Sequence, residues 1–315
     1  MGLCRWVRPE WTMAVLVCGA SVCGFGAMAV TTAGAQQVAF TFDDLPAHGP
    51  LPPGETRMAV AEKVLKALKK AHMPPVYGFV NGVAVEEHPE TAAVLAVWRA
   101  AGDPLGNHTW SHMNLNQHSL EQFEEDTQKN EALLELQMKG MDWKWLRYPF
   151  LAEGDTAAKK MGDRVFLAEH GYRIAAVTMS FADYEWNEPY ARCETKHDGK
   201  AIRWLERSYL RAADEDIGYR RAMAEKLYGH DIPYVLLMHI GAFDARMLPR
   251  LLKVYQARGF TFVTLEEAEK DSFYKCDVDP KLLPGADTLE GAMAEKGLEV
   301  PKKKDYSAEL DKVCK

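Results

Sequence analysis

The sequence predicts an α/β fold in which parallel strands alternate with helices. Short segments rich in β-branched and aromatic residues recur along the chain, and most are followed by a stretch with apolar residues at helical spacing. Such an order produces parallel strands joined by right-handed crossovers, either as a (β/α) barrel or as an open doubly wound sheet. No glycine-rich phosphate loop follows the first strand, which removes the main reason to choose a nucleotide-binding sheet.

The composition is that of an ordinary globular protein. The chain has 315 residues, of which 47% are hydrophobic and 26% charged, enough to bury a full core. Lys and Arg total 38 against 45 for Asp and Glu, a net charge of −7. This balance disfavours non-specific nucleic-acid binding and a polybasic membrane anchor.

Residues 1–35 are predicted to be a signal peptide. Arg5 and Arg8 precede an uncharged apolar run at 13–30, and Ala33-Gly34-Ala35 fits a small-residue cleavage site. The alternative is a retained membrane anchor, but the many glycines and the small-residue exit favour cleavage. We therefore expect a chain exported to the periplasm or secreted, which keeps no membrane span after cleavage.

The predicted elements follow in order along the mature chain. Strands are expected at 38–41, 76–80, 105–106, 145–148, 173–177, 234–238 and 260–263. Helices are expected at 55–72, 91–101, 119–139, 156–170, 201–229, 245–257 and 265–270. Ser119 and Gln122 form a capping-box pattern at the start of the third helix. Residues 181–200 are predicted to be irregular.

The remainder of the chain is predicted to be a loosely packed tail, residues 276–315, which are rich in Pro, Gly and Lys. After signal cleavage Cys193, Cys276 and Cys314 remain in an oxidising compartment, which allows one disulfide. Cys276 and Cys314 flank the tail, so we expect them to pair; the alternative is three unpaired thiols.

Polar residues stand at the ends of the predicted strands. They are Asp43, Asp44, His108, Arg147, Asp183 and His239. In a parallel barrel these ends share one face, where the βα loops build the active site. Each residue alone has an ordinary interpretation: a helix cap for the aspartates, a surface turn for Arg147, a core histidine for His239. Their combination on one framework is what indicates a site.

His108 and His112 are expected to share a cation with an aspartate. In a helix a four-residue spacing places two imidazoles about 40° apart, on one face. Asp44 or Asp43 would supply an oxygen ligand. Two histidines and one carboxylate, with positions left for water, are typical of a catalytic metal site.

The same segments, in the same order, resemble the motifs of the polysaccharide deacetylase family, carbohydrate esterase family 4. They are Thr41-Phe42-Asp43-Asp44, His108-Thr109-Trp110-Ser111-His112, Arg147-Tyr148-Pro149-Phe150, Asp183-Tyr184 and Leu237-Met238-His239. The match covers about residues 38–265. The resemblance implies a distorted (β/α)7–8 barrel in a catalytic domain at 36–275. It also implies a divalent metal, usually zinc with cobalt, nickel or manganese as alternatives, held by Asp44, His108 and His112.

The implied reaction removes acetyl from an N-acetylated or O-acetylated sugar of a polysaccharide or oligosaccharide, with metal-bound water as the nucleophile. Asp43 is expected to act as the general base, kept ionised and oriented by Arg147. A backbone N–H near Phe150 would stabilise the oxyanion. His239 would protonate the leaving group, with Asp183 orienting it and raising its pKa.

Two departures from the family pattern affect the substrate more than the chemistry. Leu151-Ala152-Glu153 intervene before Gly154, where the family continues directly into glycine, and Tyr184 stands where the family usually has tryptophan. The adjoining segment 185–215 is enlarged and contains Trp186, Tyr190 and Trp204. These aromatics either form a sugar-stacking platform with Tyr184 or pack the segment's own core.

The leading hypothesis is an exported deacetylase that acts on the acetamides of a cell-surface or extracellular glycan. One alternative keeps the site but changes the substrate to a small amide, a cyclic ureide or an O-acetyl ester. Another is a catalytically silent glycan-binding protein, which would not need the base, ligands, arginine and acid that this sequence keeps.

Overall fold

The computed structural model describes residues 36–286 and 288–315. The predicted signal peptide and its alternative, a membrane anchor, lie outside the described residues. Within the described ranges, every helix is too short or too polar to cross a membrane.

Seven described strands form one parallel sheet. They are β1 (Gln36–Leu45), β2 (Tyr77–Val80), β3 (Leu105–Asn107), β4 (Trp145–Leu146), β5 (Arg173–Ile174), β6 (Tyr234–His239) and β7 (Phe260–Phe262). Their order is β5-β4-β3-β2-β1-β6, and β7 pairs with the start of β1. After β5, Met179 forms an isolated parallel β-bridge with Leu236 of β6. The sheet thus curls into a distorted, incompletely closed barrel, and the predicted fold class is confirmed.

The helices connect the strands as the sequence predicted for most of the chain. They are α1 (Arg57–Lys70), α2 (Val83–Glu87), α3 (Ala92–Ala100), α4 (Leu120–Lys129), α5 (Glu131–Met138), α6 (Ala157–Glu169), α7 (Asn187–Thr195), α8 (Gly199–Tyr228), α9 (Ala242–Ala257), α10 (Leu265–Ala268), α11 (Lys275–Val278), α12 (Leu289–Glu295) and α13 (Ser307–Leu310). Ser119 and Gln122 form the predicted capping box at the start of α4.

Strand β1 forms the centre of the sheet and carries the first site residues. Its side chains from Val38 to Asp43 are buried, as expected for a parallel strand covered on both faces. Asp43 pairs with His239 in the register of β1 and β6. The carboxyl ends of the strands therefore meet at one end of the barrel, where an α/β barrel places its active site.

The single helix predicted at 119–139 is interrupted at Asn130. Asparagine is a poor helix former because its side chain competes for hydrogen bonds. Here the buried amide of Asn130 donates to Val80 O at 2.6 Å and to Asn107 Oδ1 at 2.9 Å. The residue therefore ties the helical layer to β2 and β3.

The prediction of irregular structure at 181–200 is wrong. A 3₁₀ turn at Asp183–Trp186 leads directly into α7, and α8 begins at Gly199. Pro189 does not break α7, because it lies in the first turn, where backbone N–H groups have no intrahelical partner.

The prediction of a loosely packed tail is also wrong. Residues 276–315 contain most of α11 and all of α12 and α13. Four apolar side chains of this segment are buried in the core: Leu289, Met293, Tyr306 and Leu310. The predicted Cys276–Cys314 pair is replaced by a Cys193–Cys314 disulfide, which ties the chain end to α7. Sequence position alone cannot select among the pairings of three cysteines. Within this segment, α12 packs against α8, and α13 packs against the 3₁₀ turn at Asp183–Trp186.

Removing the disulfide should lower the free energy of unfolding by about 2–5 kcal/mol, because it closes a long loop and restricts the unfolded chain. The bond joins residues 121 positions apart. The variant Cys193→Ser/Cys314→Ser would be compared with wild type by urea denaturation. Cys276→Ser is the matched control, since it leaves the disulfide in place. Equal stabilities of the double variant and the control would contradict this prediction.

Candidate metal and catalytic site

One carboxylate oxygen and two imidazole nitrogens converge at the end of β1. Asp44 Oδ1 lies 3.3 Å from His112 Nε2 and 3.5 Å from His108 Nε2. His108 Nδ1 lies 2.7 Å from the carbonyl oxygen of Arg147, and a carbonyl only accepts. Nδ1 therefore carries the proton, and Nε2 turns a lone pair toward Asp44.

Asp44 Oδ1 is buried and accepts no hydrogen bond from any described residue. A carboxylate oxygen facing imidazole lone pairs without a donor between them is unfavourable unless a cation lies there. The donor set, one carboxylate and two imidazoles, is that of catalytic zinc and related transition metals. The residues therefore fit the metal that the sequence predicted.

The protonation states agree with this fit. Burial by itself raises the pKa of Asp44, but the hydrogen bond with His48 and the positive charge of His239 oppose burial, and the pKa lies well below its usual value. Burial and the nearby His108 lower the pKa of His112 to about 4. At neutral pH the set is an ionised carboxylate with a neutral His112, which are the forms that bind metals.

The expected helical geometry of the two histidines is wrong. His108 follows β3, and residues 108–112 form a loop in which Thr109 and His112 have φ values of 60° and 58°. Asn107 Oδ1 accepts from Thr109 N at 2.8 Å, and Asp126 Oδ2 accepts from Ser111 N at 2.9 Å. The loop, not a helix face, brings the two rings to a centroid distance of 4.9 Å.

Non-glycine residues with left-handed backbone cluster around the same cavity. Asp44, Thr109, His112, Phe150, Leu151 and Ala182 have φ values between 53° and 63°. Each such residue costs about 1–3 kcal/mol and persists only where the surrounding structure enforces it. Such strain gathers at functional sites, so its position supports the assignment of this cavity as the site.

Asp43 and Arg147 form a buried ion pair beside the three ligand atoms. Arg147 donates to Asp43 Oδ1 and Oδ2 at 2.9 and 3.2 Å, to Thr41 Oγ1 at 3.1 Å and to Ala175 O at 2.8 Å. Both side chains are at most 3% exposed. Asp43 Oδ2 lies 3.8 Å from His108 Nε2. The arginine therefore fixes the carboxylate at the edge of the candidate metal site.

His239 and Asp183 form a second pair on another wall of the cavity. Asp183 accepts from the His239 backbone N at 2.7 Å and lies 3.0 Å from His239 Nδ1. Burial lowers the pKa of His239, but the Asp183 carboxylate outweighs burial and raises the pKa to about 10. His239 is therefore held as a cation at neutral pH.

A second group, Asp44, His48 and His239, also has ligand atoms within 4.8 Å of one another. An imidazolium has no lone pair for a metal, and Asp183 holds His239 in that form. The group of Asp44, His108 and His112 is therefore the better metal site.

The site lies in a cavity of about 370 Å³, which is within the usual size of small-molecule sites. The buried Leu237 lines this cavity, and so do Phe150 and Tyr184, which are 65% and 46% exposed. Phe150 belongs to a tight turn at Pro149–Leu151, closed by Leu151 N donating to Tyr148 O. Leu151, the first of the residues that depart from the family pattern, also lines the cavity.

The aromatics of segment 185–215 pack a core and do not form the stacking platform. Trp186 and Tyr190 are buried, and Trp204 is partly buried against the same apolar cluster. Trp186 Nε1 donates to Ser208 Oγ at 2.9 Å. Of the aromatics considered for the platform, Tyr184 is the one exposed beside the site, where Phe150 is exposed as well.

The structure brings together all the predicted site residues: Asp43, Asp44, His108, His112, Arg147, Phe150, Asp183, Tyr184 and His239. It adds His48, which is not among the predicted site residues. Only 19% of that side chain is exposed, and its Nδ1 lies 2.7 Å from Asp44 Oδ2. Its position four residues after Asp44, in the loop at the end of the first strand, was the one available signal.

Comparisons with known proteins agree with this arrangement. The family model described as polysaccharide deacetylase matches residues 31–166. No curated protein sequence matches the chain. Many solved structures match the chain, among them the following three.

The chitin deacetylase of the fungal pathogen Colletotrichum lindemuthianum is 24% identical, with 74% of this chain and 86% of that chain covered and a TM-score of 0.52. The Xyl-CE4 domain of a multidomain xylanase from the hindgut metagenome of Trinervitermes trinervoides is 17% identical, with 81% and 98% covered and a TM-score of 0.52. A mutant of a CE4 family pseudoenzyme from Bacillus anthracis, with restored enzymatic activity, is 16% identical, with 75% and 68% covered and a TM-score of 0.52.

Proposed function

We propose that the chain is an exported, metal-dependent hydrolase of the polysaccharide deacetylase family, whose family model matches residues 31–166. Its substrate would be the acetamide of N-acetylated sugars in a cell-surface or extracellular polysaccharide. The observation that carries the proposal is the arrangement of charged and metal-binding side chains in one cavity. An unpartnered carboxylate oxygen faces two imidazoles, with a buried carboxylate on one side and an imidazolium on the other. Export rests on the sequence of residues 1–35 alone.

Asp44, His108 and His112 would hold the metal, for which zinc is the first choice. When bound, such an ion supplies a Lewis acid that activates water and polarises the acetyl carbonyl. Asp44 brings the negative charge, and the Arg147 carbonyl orients His108 through Nδ1.

Asp43 would accept the proton of the attacking water, because its carboxylate borders the metal ligands and the Arg147 guanidinium compensates its charge. The backbone N–H of Phe150, in the tight turn at the cavity rim, would donate to the developing oxyanion. His239 would give its proton to the leaving amine as the C–N bond breaks, which yields acetate and a free amino sugar.

The pH profile should depend on the pair of His239 and Asp183. Because the folded-state pKa of His239 is raised to about 10, the acid form exists at neutral pH and is lost as pH rises through that value. In Asp183→Asn the carboxylate no longer opposes the effect of burial, so the alkaline limb of kcat/KM should move to lower pH. Profiles of the two proteins between pH 5 and about 11 would measure this shift. An unmoved alkaline limb would contradict the role of His239.

Two other functions use parts of the same arrangement. The same site could hydrolyse an O-acetyl ester, a small amide or a cyclic ureide, because the attacked carbonyl is alike. A silent glycan-binding protein would need neither Asp43 nor the His239–Asp183 pair, and a pseudoenzyme shares the fold. The retained acid and base favour catalysis.

Acetate release distinguishes these functions. Zinc-loaded protein would be incubated with N-acetylglucosamine oligomers, with acetylated xylan and with small acetamides, beside Asp43→Asn as the inactive reference. The proposal predicts release from the oligomers that Asp43→Asn abolishes. Release from only the ester or the small amides would show that the substrate is one of these and not an N-acetylated sugar polymer. Binding of oligomers without release would favour the silent protein.

A further inference from the structure

The loop after β1 places His48 against the carboxylate of the candidate metal site. His48 Nδ1 lies 2.7 Å from Asp44 Oδ2, and the two side chains are 19% and 15% exposed. An ionised carboxylate only accepts hydrogen bonds, so His48 Nδ1 is the donor. The two oxygens of Asp44 thus have separate surroundings: Oδ2 accepts from His48, and Oδ1 faces His108 and His112.

This loop is anchored from two sides, so the position of His48 is not that of a free surface residue. Arg57, the first residue of α1, donates to His48 O at 2.7 Å and to Gly49 O at 2.6 Å. Ala47 N donates to Asp44 O at 2.8 Å and closes a turn. Gly49 has a φ of 61°, and a Cβ there would lie 3.4 Å from Asn187 Cβ of α7.

His48 is in place to act on Asp44 rather than on the metal itself. Its Nδ1 is already used on Asp44 Oδ2. The other histidine near it, His239, lies at a ring distance of 4.7 Å and is committed to Asp183. A group of Asp44, His48 and His239 would therefore need both histidines to give up these partners before it could hold an ion.

We propose that His48 is a positioning residue of the metal site, whose Nδ1–H holds Asp44 so that Oδ1 points between His108 and His112. The inference rests on the proposed function, because it concerns the ion bound there. A carboxylate with one oxygen fixed cannot rotate to offer the other, so the side chain loses less conformational entropy when the metal binds. Partners behind a metal ligand are worth about 10–100-fold in metal affinity.

Zinc affinity tests this inference without reference to turnover. Metal-free wild type, His48→Ala, His48→Asn and His48→Gln would be titrated with zinc against a chromophoric chelator. We expect His48→Ala to bind zinc about 10–100-fold more weakly. His48→Asn should recover much of the affinity, because its amide nitrogen occupies nearly the position of Nδ1. His48→Gln, whose amide reaches the position of Nε2, should behave like His48→Ala.

The matched control is His118→Ala, because His118 is exposed and its Nδ1 bonds to the local Asn114 carbonyl at 3.0 Å. If His48→Ala does not fold, the contrast between the asparagine and glutamine variants carries the same information. Far-UV circular dichroism would establish that each variant is folded.

The outcomes separate this inference from the proposed function. Wild type that binds no zinc would overturn both. Wild-type affinity in His48→Ala or in His48→Gln would overturn the positioning role alone. X-ray absorption that finds one imidazole fewer around zinc in His48→Asn would make His48 a ligand and would likewise overturn it.

Discussion

Replacement of Asp43 by asparagine is expected to lower kcat by about 10²–10⁴-fold while zinc remains bound, because the general base is lost and the ligands are kept. Asp43 is buried, borders the ligand atoms and is held by Arg147. Asparagine is nearly isosteric and can still meet Arg147 with its amide oxygen. Acetate release from N-acetylglucosamine oligomers and zinc content would be measured on the same preparation.

The control for this substitution is Asp142→Asn, since Asp142 is 60% exposed and pairs with Arg173 at the surface. It should keep wild-type activity. Asp43→Asn leaves a buried arginine with less compensating charge, so its folded fraction would be checked by urea denaturation. A folded, zinc-loaded Asp43→Asn with wild-type kcat would refute Asp43 as the base.

Replacement of His112 by alanine is expected to weaken zinc binding by more than about 100-fold, since residues behind the ligands alone account for 10–100-fold. Of the two imidazole nitrogens that face Asp44 Oδ1, His112 Nε2 is the nearer, at 3.3 Å. The low pKa of His112, about 4, keeps the imidazole available to a metal down to mildly acidic pH. Chelator competition measures the affinity, and acetate release should disappear at zinc concentrations that saturate wild type.

His118→Ala again serves as the control, because it removes an exposed imidazole from the loop before α4. Wild-type zinc affinity in His112→Ala would place the ion elsewhere. In that case the group of Asp44, His48 and His239 would be the site to test next.

Most of the site could be predicted because a parallel barrel brings strand ends together. Asp43, Asp44, His108 and His239 each follow an apolar strand, and the fold then fixes where they meet. The prediction therefore did not depend on the conformations of the loops. The helical geometry expected for His108 and His112 failed because local turns with positive φ decide that loop, and spacing carries no information about them.

The remaining errors concern contacts between segments far apart in the chain. Cys314 pairs with Cys193 across 121 positions. Lys303 of the C-terminal segment donates to Asp216 at 2.6 Å and to the carbonyl oxygen of Ser180, a residue that lines the site cavity. Hydropathy and turn patterns describe local preference only, so a Pro- and Gly-rich stretch does not reveal that it packs against the site.

The most direct test of metal-dependent deacetylation is acetate release by chelator-stripped protein before and after the addition of one equivalent of zinc. N-Acetylglucosamine oligomers would serve as the substrate. The account predicts no release from the stripped protein and full activity at one zinc per chain. Release by the stripped protein, or its absence from protein that has bound one zinc, would contradict the account.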